Sequence, residues 1–566
     1  MSEKDDPVGQ PPDAENPTGH SDSTTGSVTF EDSGAEEKIS ASDAVESAEG
    51  ETVRGEEGVE RANNKKKFIG LGVGLLLAVI IYFVFPSNGA DLVNEAQPDD
   101  ENGPFDLSSI RITAAIMVLM GAWWMTGALP LAATAMVPLV AFPILQVAEI
   151  DDVSSPYADP TIFLFMGGFV LALGIQRWGL HRRLALMVVL AVGTRPKQLV
   201  LGFMIATGFM SMWVSNTATA VVMLPIGVSV LALTADRVGG WQNQKKFSTA
   251  LMLAIAYSAS IGSLGTIIGT PPNAFMVGYM SGTHGIEIGF GKWMLVGVPL
   301  AVVFTVLAWL VLITVFKPEM DQIPGGRELI TKEIEDMGKM SRAEITAGII
   351  FVCTAVAWIT IPLLAEYVDW WTISIDDAAI AMTAALVMYI VPVNNRGTRV
   401  MDWEHSKEIP WDVLILFGGG LSLSAMVTAS GLSLWIGEMV KGMEALPIVL
   451  LVFAIAAVVL ALTEFTSNTA TAATFIPIMG GVATGIGLTG DGLINVLILV
   501  IPTALAATCA FMLPVATPPN AIAYGSGYVK AGDMLKGGLW LNLIAVFLIT
   551  ITVFALAVPV FGLTFG

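Results

Sequence analysis

The sequence predicts an all-α polytopic membrane protein built from two inverted repeats with re-entrant hairpins and broken helices. Three observations carry that prediction. The 566-residue chain is 54% hydrophobic and 14% charged, with mean hydropathy +0.69, whereas soluble domains carry about 25% charged residues. Ser-Asn-Thr-Ala-Thr-Ala occurs at 215–220 and again at 467–472, an offset of 252 (467 − 215). Thr-Pro-Pro-Asn-Ala begins at Thr270 and again at Thr517, an offset of 247 (517 − 270). Two phrases returning in the same order at nearly the same spacing mark an internal duplication. Many apolar runs approach the ~20 residues that cross a bilayer, and none shows the short alternation of a β-barrel.

Residues 1–66 read as a disordered acidic cytoplasmic tail. Residues 1–60 hold 17 acidic and 3 basic side chains, too little apolar surface to offset ordering. Lys65, Lys66 and Lys67 precede a first span at Phe68–Phe85, and the acidic stretch Asp91–Asp106 follows. The positive-inside rule then places the N-terminus in the cytoplasm.

The first repeat, counted with that span as residues 67–316, continues with spans near 110–128 and 130–148. The stretch Phe163–Val189 contains Gly167-Gly168 and Arg177-Trp178-Gly179 and reads as a re-entrant hairpin. Backbone of that kind is tolerated at membrane depth when it faces protein or a water cavity. An arm at 198–214 runs into the first Ser-Asn-Thr, and a helix resumes over Val221–Thr234. The segment from Leu251 to Met280 carries Gly262, Gly265, Gly269 and Pro271-Pro272 and must break. A span at 293–316 closes this half, and the charged residues 317–344 form a linker with a short surface helix.

The second repeat, 345–566, retraces the order. Spans at 345–365 and 378–393 precede a hairpin whose Leu416-Phe417-Gly418-Gly419-Gly420 matches Leu164-Phe165-Met166-Gly167-Gly168 at offset 252. An arm at 447–462, a helix to Ile486, a broken segment at 494–528 and a span at 539–562 follow, with Trp540 matching Trp293 at offset 247. An odd number of crossings per half would give the repeats opposite orientation.

The repeated phrases carry the chemistry. A lone Ser-Asn-Thr is ordinarily an N-cap or a helix–helix hydrogen bond. A duplicated one, joined to a duplicated Thr-Pro-Pro-Asn, points to a site, and a duplicated Gly/Pro-interrupted apolar chain is the pattern of a secondary transporter. Breaking a helix frees N–H groups on one side and carbonyls on the other. Carbonyls, hydroxyls and the Asn oxygen are hard ligands suited to Na⁺; N–H groups, hydroxyls and the Asn amide suit a carboxylate or sulfate. Two such clusters suit an anion charged at both ends. Neither phrase contains Lys or Arg, so bound cations are the natural charge compensation.

Outside the phrases, Glu464 lies three residues before Ser467 in an apolar run, where the aligned first-half residue is Met212. Intramembrane carboxylates are functional hypotheses; holding the second broken helix and titrating during transport both stay open. His181 and His405 read as surface residues. Trp123-Trp124 and Trp370-Trp371 read as interface or packing aromatics, and Cys353 and Cys509 as buried small hydrophobes.

The doubled Ser-Asn-Thr and Thr-Pro-Pro-Asn, the Phe-x-Gly-Gly stretches and Trp-Gly-Leu-His-Arg-Arg at 178–183 resemble the divalent anion/sodium symporter family over residues 68–566. The resemblance implies Na⁺-coupled, elevator-type secondary transport of a di- or tricarboxylate or sulfate by a homodimer in the plasma membrane. It implies a first Na⁺ site at Ser211, Ser215, Asn216 and the backbone near Gly269. A second would use Thr463, Thr466, Ser467, Asn468 and the backbone near Ala516. Substrate would meet Asn216, Thr217, Asn468 and Thr469, with Thr270, Thr517 and Pro518 lining the pocket. Both intact Ser-Asn-Thr copies are most similar to the dicarboxylate carriers, with succinate as the expected substrate. A dicarboxylate exchanger without sodium coupling, a sodium/sulfate or sulfonate symporter and an anion channel stay open. A membrane enzyme is not expected: the four histidines are scattered, and there is no His-Glu-x-x-His motif. No nucleic-acid partner is expected.

Overall fold

A computed structural model describes residues 64–96, 103–193, 195–322, 326–365, 375–442, 446–488 and 491–564. The acidic tail before Asn64 and the pair Trp370-Trp371 lie outside these residues. Among those described the chain is helical with no strand; one isolated bridge joins Pro392 and Arg399.

Helix α1, Asn64–Val84, starts four residues before Phe68 and exposes Phe68, Leu76 and Phe83, as a lipid-facing helix does. Next come α2 (Gly89–Ala96), α3 (Leu107–Thr126), α4 (Leu131–Ala135), α5 (Val137–Ile144) and α6 (Ile150–Ser154). Then follow α7 (Pro160–Arg177), α8 (Leu180–Val192), α9 (Pro196–Ser211), α10 (Asn216–Val238), α11 (Lys245–Ser263), α12 (Pro271–His284) and α13 (Phe290–Val315). The linker holds α14 (Gly326–Asp336), the expected short helix.

The second half has α15 (Arg342–Ala365), α16 (Asp377–Ile390), α17 (Trp411–Ala429), α18 (Leu432–Val440), α19 (Ile448–Thr463) and α20 (Asn468–Gly485). It ends with α21 (Leu497–Thr508), α22 (Pro518–Gly525), α23 (Ala531–Thr552), a π-helical turn at Val553–Ala557 and α24 (Val558–Phe561). Eight helices among the described residues are long and apolar enough to cross a bilayer: α1, α3, α10, α13, α15, α17, a continuous stretch Ile150–Arg177 and another at Ala531–Phe561.

Three expectations need correction. The stretch 163–189 is a helix–turn–helix, as a hairpin is, but it breaks at Trp178-Gly179 alone and not also at Gly167-Gly168. α7 runs straight through Gly167-Gly168 and belongs to a stretch of spanning length, while α8 turns away at Gly179, whose φ of 72° is left-handed. At the glycines α7 packs along α16: a Cβ on Gly167 would lie 2.6 Å from the Ala381 backbone, and one on Gly174 2.6 Å from Met388 Sδ. In the second half Gly419 lets α17 press on α4, where a Cβ would collide with the Ala135 carbonyl. The Phe-x-Gly-Gly stretches are thus points of close helix approach, and their matched rings meet: Phe165 and Phe417 are 5.2 Å apart, edge to face. Further helix–turn–helix units lie at the Ser-Asn-Thr phrases, between α9 and α10 and between α19 and α20.

Second, Trp540 does not share the setting of Trp293. Trp293 is fully buried and donates to the Leu264 carbonyl, whereas Trp540 is 57% exposed. Gly297 packs on Leu264 and Gly538 on Phe511, so α13 and α23 correspond at 241 residues (538 − 297). Their first residues, Phe290 and Ala531, keep that offset (531 − 290). Third, two side chains change place relative to the surface. His181 is buried, and Cys353 is exposed on α15, while Cys509 is buried as expected. Trp123 and Trp124 are packing residues whose indole N–H groups donate to the carbonyls of Leu71 and Leu131.

Candidate functional site

Each half contributes two interruptions. In the first, α9 ends at Ser211 and α10 starts at Asn216, not at Val221; α11 ends at Ser263 and α12 starts at Pro271. Glycines let these pieces come close. A Cβ on Gly262 would lie 2.2 Å from the Gly208 carbonyl oxygen, so α9 and α11 touch backbone to backbone. Ser211 is fully buried and its Oγ donates to the Ala259 carbonyl at 2.5 Å. Ser215 is the N-cap of α10, its Oγ accepting from Ala218 N at 3.3 Å. Asn216 Oδ1 accepts from Thr217 N at 2.8 Å. The loop 264–270 is fixed by Asn273, whose Nδ2 donates to the carbonyls of Leu264 and Thr266. Thr266 Oγ1 donates to the Met212 carbonyl and accepts from Gly269 N.

The second half repeats the plan with different fastenings. Thr463 Oγ1 is 2.9 Å from Asn468 Oδ1 and 2.8 Å from the Ala507 carbonyl, and Asn468 Nδ2 donates to the Thr508 carbonyl at 3.4 Å. Three oxygens therefore share one hydroxyl hydrogen, a surplus of lone pairs that suits a small hard cation. Thr466 Oγ1 bonds Thr471 Oγ1 at 2.6 Å. Ser467 is the N-cap position of α20 yet makes no side-chain cap bond, unlike Ser215. Thr469 is half-buried, as is Thr217. Asn520 Nδ2 donates to the carbonyls of Ala510 and Leu513, and Ala516 N donates to that same Leu513 carbonyl at 3.2 Å. Thr517 caps α22 by accepting from Asn520 N, and Pro518 is exposed at its first position.

The two halves interleave. α10, which follows the first Ser-Asn-Thr, packs on α22, which follows the second Thr-Pro-Pro-Asn; α20 packs on α12 in the converse sense. A direct contact crosses between the discontinuities, Thr270 Oγ1 to Thr508 Oγ1 at 3.4 Å, both side chains buried. The structure thus gathers Thr463, Asn468 and Thr508 into one cluster that Thr270 reaches. It sets Ser211 and Asn216 on separate local partners.

Four contributors are absent from the sequence prediction: the Ala507 carbonyl, Thr508, Thr266 and Asn542. Thr508 stands where the first half has Ile261 (508 − 247), so the duplication gives no hint of it. Asn542 carried a usable signal, an amide within an apolar span. Glu464 is buried, and its carboxylate accepts from Phe511 N (2.8 Å), Met512 N (3.0 Å), Leu513 N (3.1 Å) and Asn542 Nδ2 (2.6 Å). Of the two roles open for it, the geometry matches holding the broken helix. A separate, mainly apolar cavity of about 750 Å³ lies between α7, α12, α13, α15 and α16, bordered by Thr161, Lys292, Trp358 and Asp377. None of the Ser-Asn-Thr or Thr-Pro-Pro-Asn residues lines it.

A family profile described as "Sodium:sulfate symporter transmembrane region" matches residues 107–563. Over 513 residues the chain is 39% identical to the sodium-dependent dicarboxylate transporter SdcS of Staphylococcus saprophyticus, covering 89% of this chain and 94% of that one. Against SdcS of Staphylococcus aureus it is 41% identical over 456 residues, 79% of this chain and 86% of the relative. Among solved structures, the YdaH transporter of Alcanivorax borkumensis superposes with a TM-score of 0.50 at 11% identity, covering 79% of this chain and 99% of that chain. At that identity the likeness is one of fold. The profile match takes in both copies of both phrases and all four helix interruptions, and the chain belongs to the sodium:sulfate symporter family, the divalent anion/sodium symporters that its repeated phrases resemble.

Proposed function

We propose that this chain is a sodium-coupled secondary active transporter of a divalent anion, with a C4-dicarboxylate such as succinate as its substrate. The observation that carries the reading is the interleaving of the duplicated discontinuities, with Thr270 meeting Thr508 between them. Four helices, α10, α12, α20 and α22, begin at these phrases, and helix N-termini favour anions. Supporting it, the SdcS relatives are named sodium-dependent dicarboxylate transporters.

In this reading one Na⁺ meets Ser211, Ser215, Asn216 and the Gly269 backbone. A second meets Thr463, Thr466, Ser467, Asn468 and the Ala516 backbone. The carboxylates of the substrate meet Asn216, Thr217, Asn468 and Thr469, with Thr270, Thr517 and Pro518 beside them. Na⁺ binds first and fixes the loops. The dianion then closes the charge balance, so that the loaded site crosses the membrane at low cost while a half-loaded one is penalised. The alternating movement is of the elevator type, in a homodimer of the plasma membrane with a cytoplasmic N-terminus. The two repeats, 67–316 and 345–566, are inverted about the linker 317–344.

The test is uptake of radiolabelled succinate into proteoliposomes with and without an inward Na⁺ gradient, competed by sulfate, citrate and taurine. Na⁺-dependent accumulation is expected. Flux that instead requires internal dicarboxylate makes the protein an exchanger. Sulfate or taurine carried in place of succinate changes the substrate, and non-saturable, non-accumulating flux makes it a channel.

A further inference from the structure

The two halves perform one task with different chemistry. In the first half, residue 212 holds residue 266, which holds residue 269: the Met212 carbonyl accepts from Thr266 Oγ1, which accepts from Gly269 N. In the second half the aligned positions are Glu464 (212 + 252), Leu513 (266 + 247) and Ala516 (269 + 247). Glu464 accepts from Leu513 N at 3.1 Å, and the Leu513 carbonyl accepts from Ala516 N at 3.2 Å. A neutral hydroxyl relay in one half is a carboxylate relay in the other. Glu464 adds bonds from Phe511 and Met512 and from Asn542 on α23, so one side chain organises the whole turn after α21.

The charge matters as much as the bonds. Glu464 is 2% exposed. Glu344, another buried carboxylate, pairs with Arg183 at 2.9 Å, but among the described residues no Lys or Arg pairs with Glu464. Its donors are neutral N–H groups. A buried charge met only by dipoles is strongly favoured by a nearby cation. Thr463, with its oxygen-rich surroundings, is the preceding residue.

We propose, resting on the sodium-coupled reading above, that Glu464 is the positioning residue of the second cation pocket. It presets the Phe511–Ala516 backbone and supplies a fixed negative charge, so the second pocket is the preformed, tighter one. The first pocket, whose loop is fastened by the neutral side chains of Thr266 and Asn273, closes after it.

The test uses purified full-length wild type, Glu464→Gln and Asn542→Leu. Apparent melting temperature in detergent is measured against NaCl, with choline chloride holding ionic strength. The half-saturating Na⁺ for succinate uptake is measured in proteoliposomes. Gln keeps the shape but turns an NH₂ toward backbone N–H donors and removes the charge. Its Na⁺ midpoint should rise about tenfold in both measurements, the loss of one charge-assisted bond, with uptake recovering at saturating Na⁺. Asn542→Leu removes one donor and should shift both midpoints the same way by less; it decides the matter on the same terms where Glu464→Gln does not fold. Wild-type Na⁺ midpoints in the variants, or stability and uptake lowered equally at every Na⁺ concentration, overturn the proposal. A wild type indifferent to Na⁺ in both measurements overturns the sodium reading, and this inference with it.

Discussion

Arg182 and Arg183 are neighbours on α8 with the same chemistry, and the fold gives them opposite weights. The Arg183 side chain is 7% exposed and its partner Glu344 6%. Its Nε donates to Glu344 at 2.9 Å, and its guanidinium also donates to the carbonyls of Gly338 and Met337 at 2.9 and 3.2 Å. Glu344 in turn accepts from Ser341 N, so α8 is fastened to the segment between α14 and α15. Arg182 reaches Glu333 at 2.7 Å, but its side chain is 46% exposed. Removing one member of a buried pair leaves an uncompensated charge and costs about 3–5 kcal/mol. Breaking an exposed pair costs about 0–1 kcal/mol. Arg183→Ala should therefore lower the apparent melting temperature of the purified protein several times more than Arg182→Ala. The double variant Arg183→Met/Glu344→Leu, which removes both charges, should recover part of the loss. Equal effects of the two arginine variants, or a double variant as damaged as the sum of its singles, would refute the reasoning, because the loss would then not arise from an orphaned charge.

Three further outcomes follow from the site and its surroundings. Asn216→Ala and Asn468→Ala should each abolish succinate uptake while the protein still reaches the membrane at normal abundance; normal uptake by either removes that residue from the site. Gly262→Ala places a methyl 2.2 Å from the Gly208 carbonyl oxygen and should cost about 1–3 kcal/mol through overpacking, read as reduced thermal stability; a wild-type melt means α9 and α11 separate freely. His405, hydrogen-bonded to Asp402 through its ring and its backbone N–H, together with Arg177, holds the Asp402 carboxyl at about 2, below its usual 3.8. A depressed carboxylate stabilises the fold above its unfolded value and loses that contribution as pH falls toward the folded one. The small stability difference between wild type and Asp402→Asn should persist at pH 7 and close between pH about 4 and about 2; a gap independent of pH refutes the assignment.

The break points of the site were legible because glycine, proline and repeated polar phrases are local signals. Gly265, Gly269 and Pro271-Pro272 cannot continue a helix, and α11 stops at Ser263. Helix order was legible too, since apolar runs of bilayer length identify themselves. The break expected at Gly167-Gly168 misled because a glycine pair reads alike as a turn or as a place where another helix presses close. Only the partner, Ala381 of α16, decides between them, and it lies more than two hundred residues away in the chain. Trp540 misled for a related reason. The six-residue difference between offsets 247 and 241 is invisible when two tryptophans happen to align. Thr508 was illegible because it breaks the repeat: its value comes from meeting Thr270, a contact that internal comparison of the halves cannot predict.

Where a duplicated chain folds into one body, repeat-related residues that touch each other must lie near the pseudo-symmetry axis. Phe165 and Phe417, related by 252 residues, do touch. Thr270 is repeat-related to Thr517 but bonds Thr508 instead, while Thr517 turns its oxygen to Asn520 N. The two Thr-Pro-Pro-Asn openings therefore depart from symmetry at the first residue of each phrase. Glu464 opposite Met212 is a second departure, one helix turn away from the second Ser-Asn-Thr. A dianion with like ends asks for two similar donor clusters, which the repeated asparagines and threonines supply. Cations that arrive before it gain from clusters of unequal strength, because one pocket can then fill while the other is still open. On the proposed reading the repeated Asn216 and Asn468 serve substrate and ion in both halves, whereas Glu464, with Met212 at its aligned position, bears on the ions alone, and the Glu464 and Asn468 variants separate these two effects.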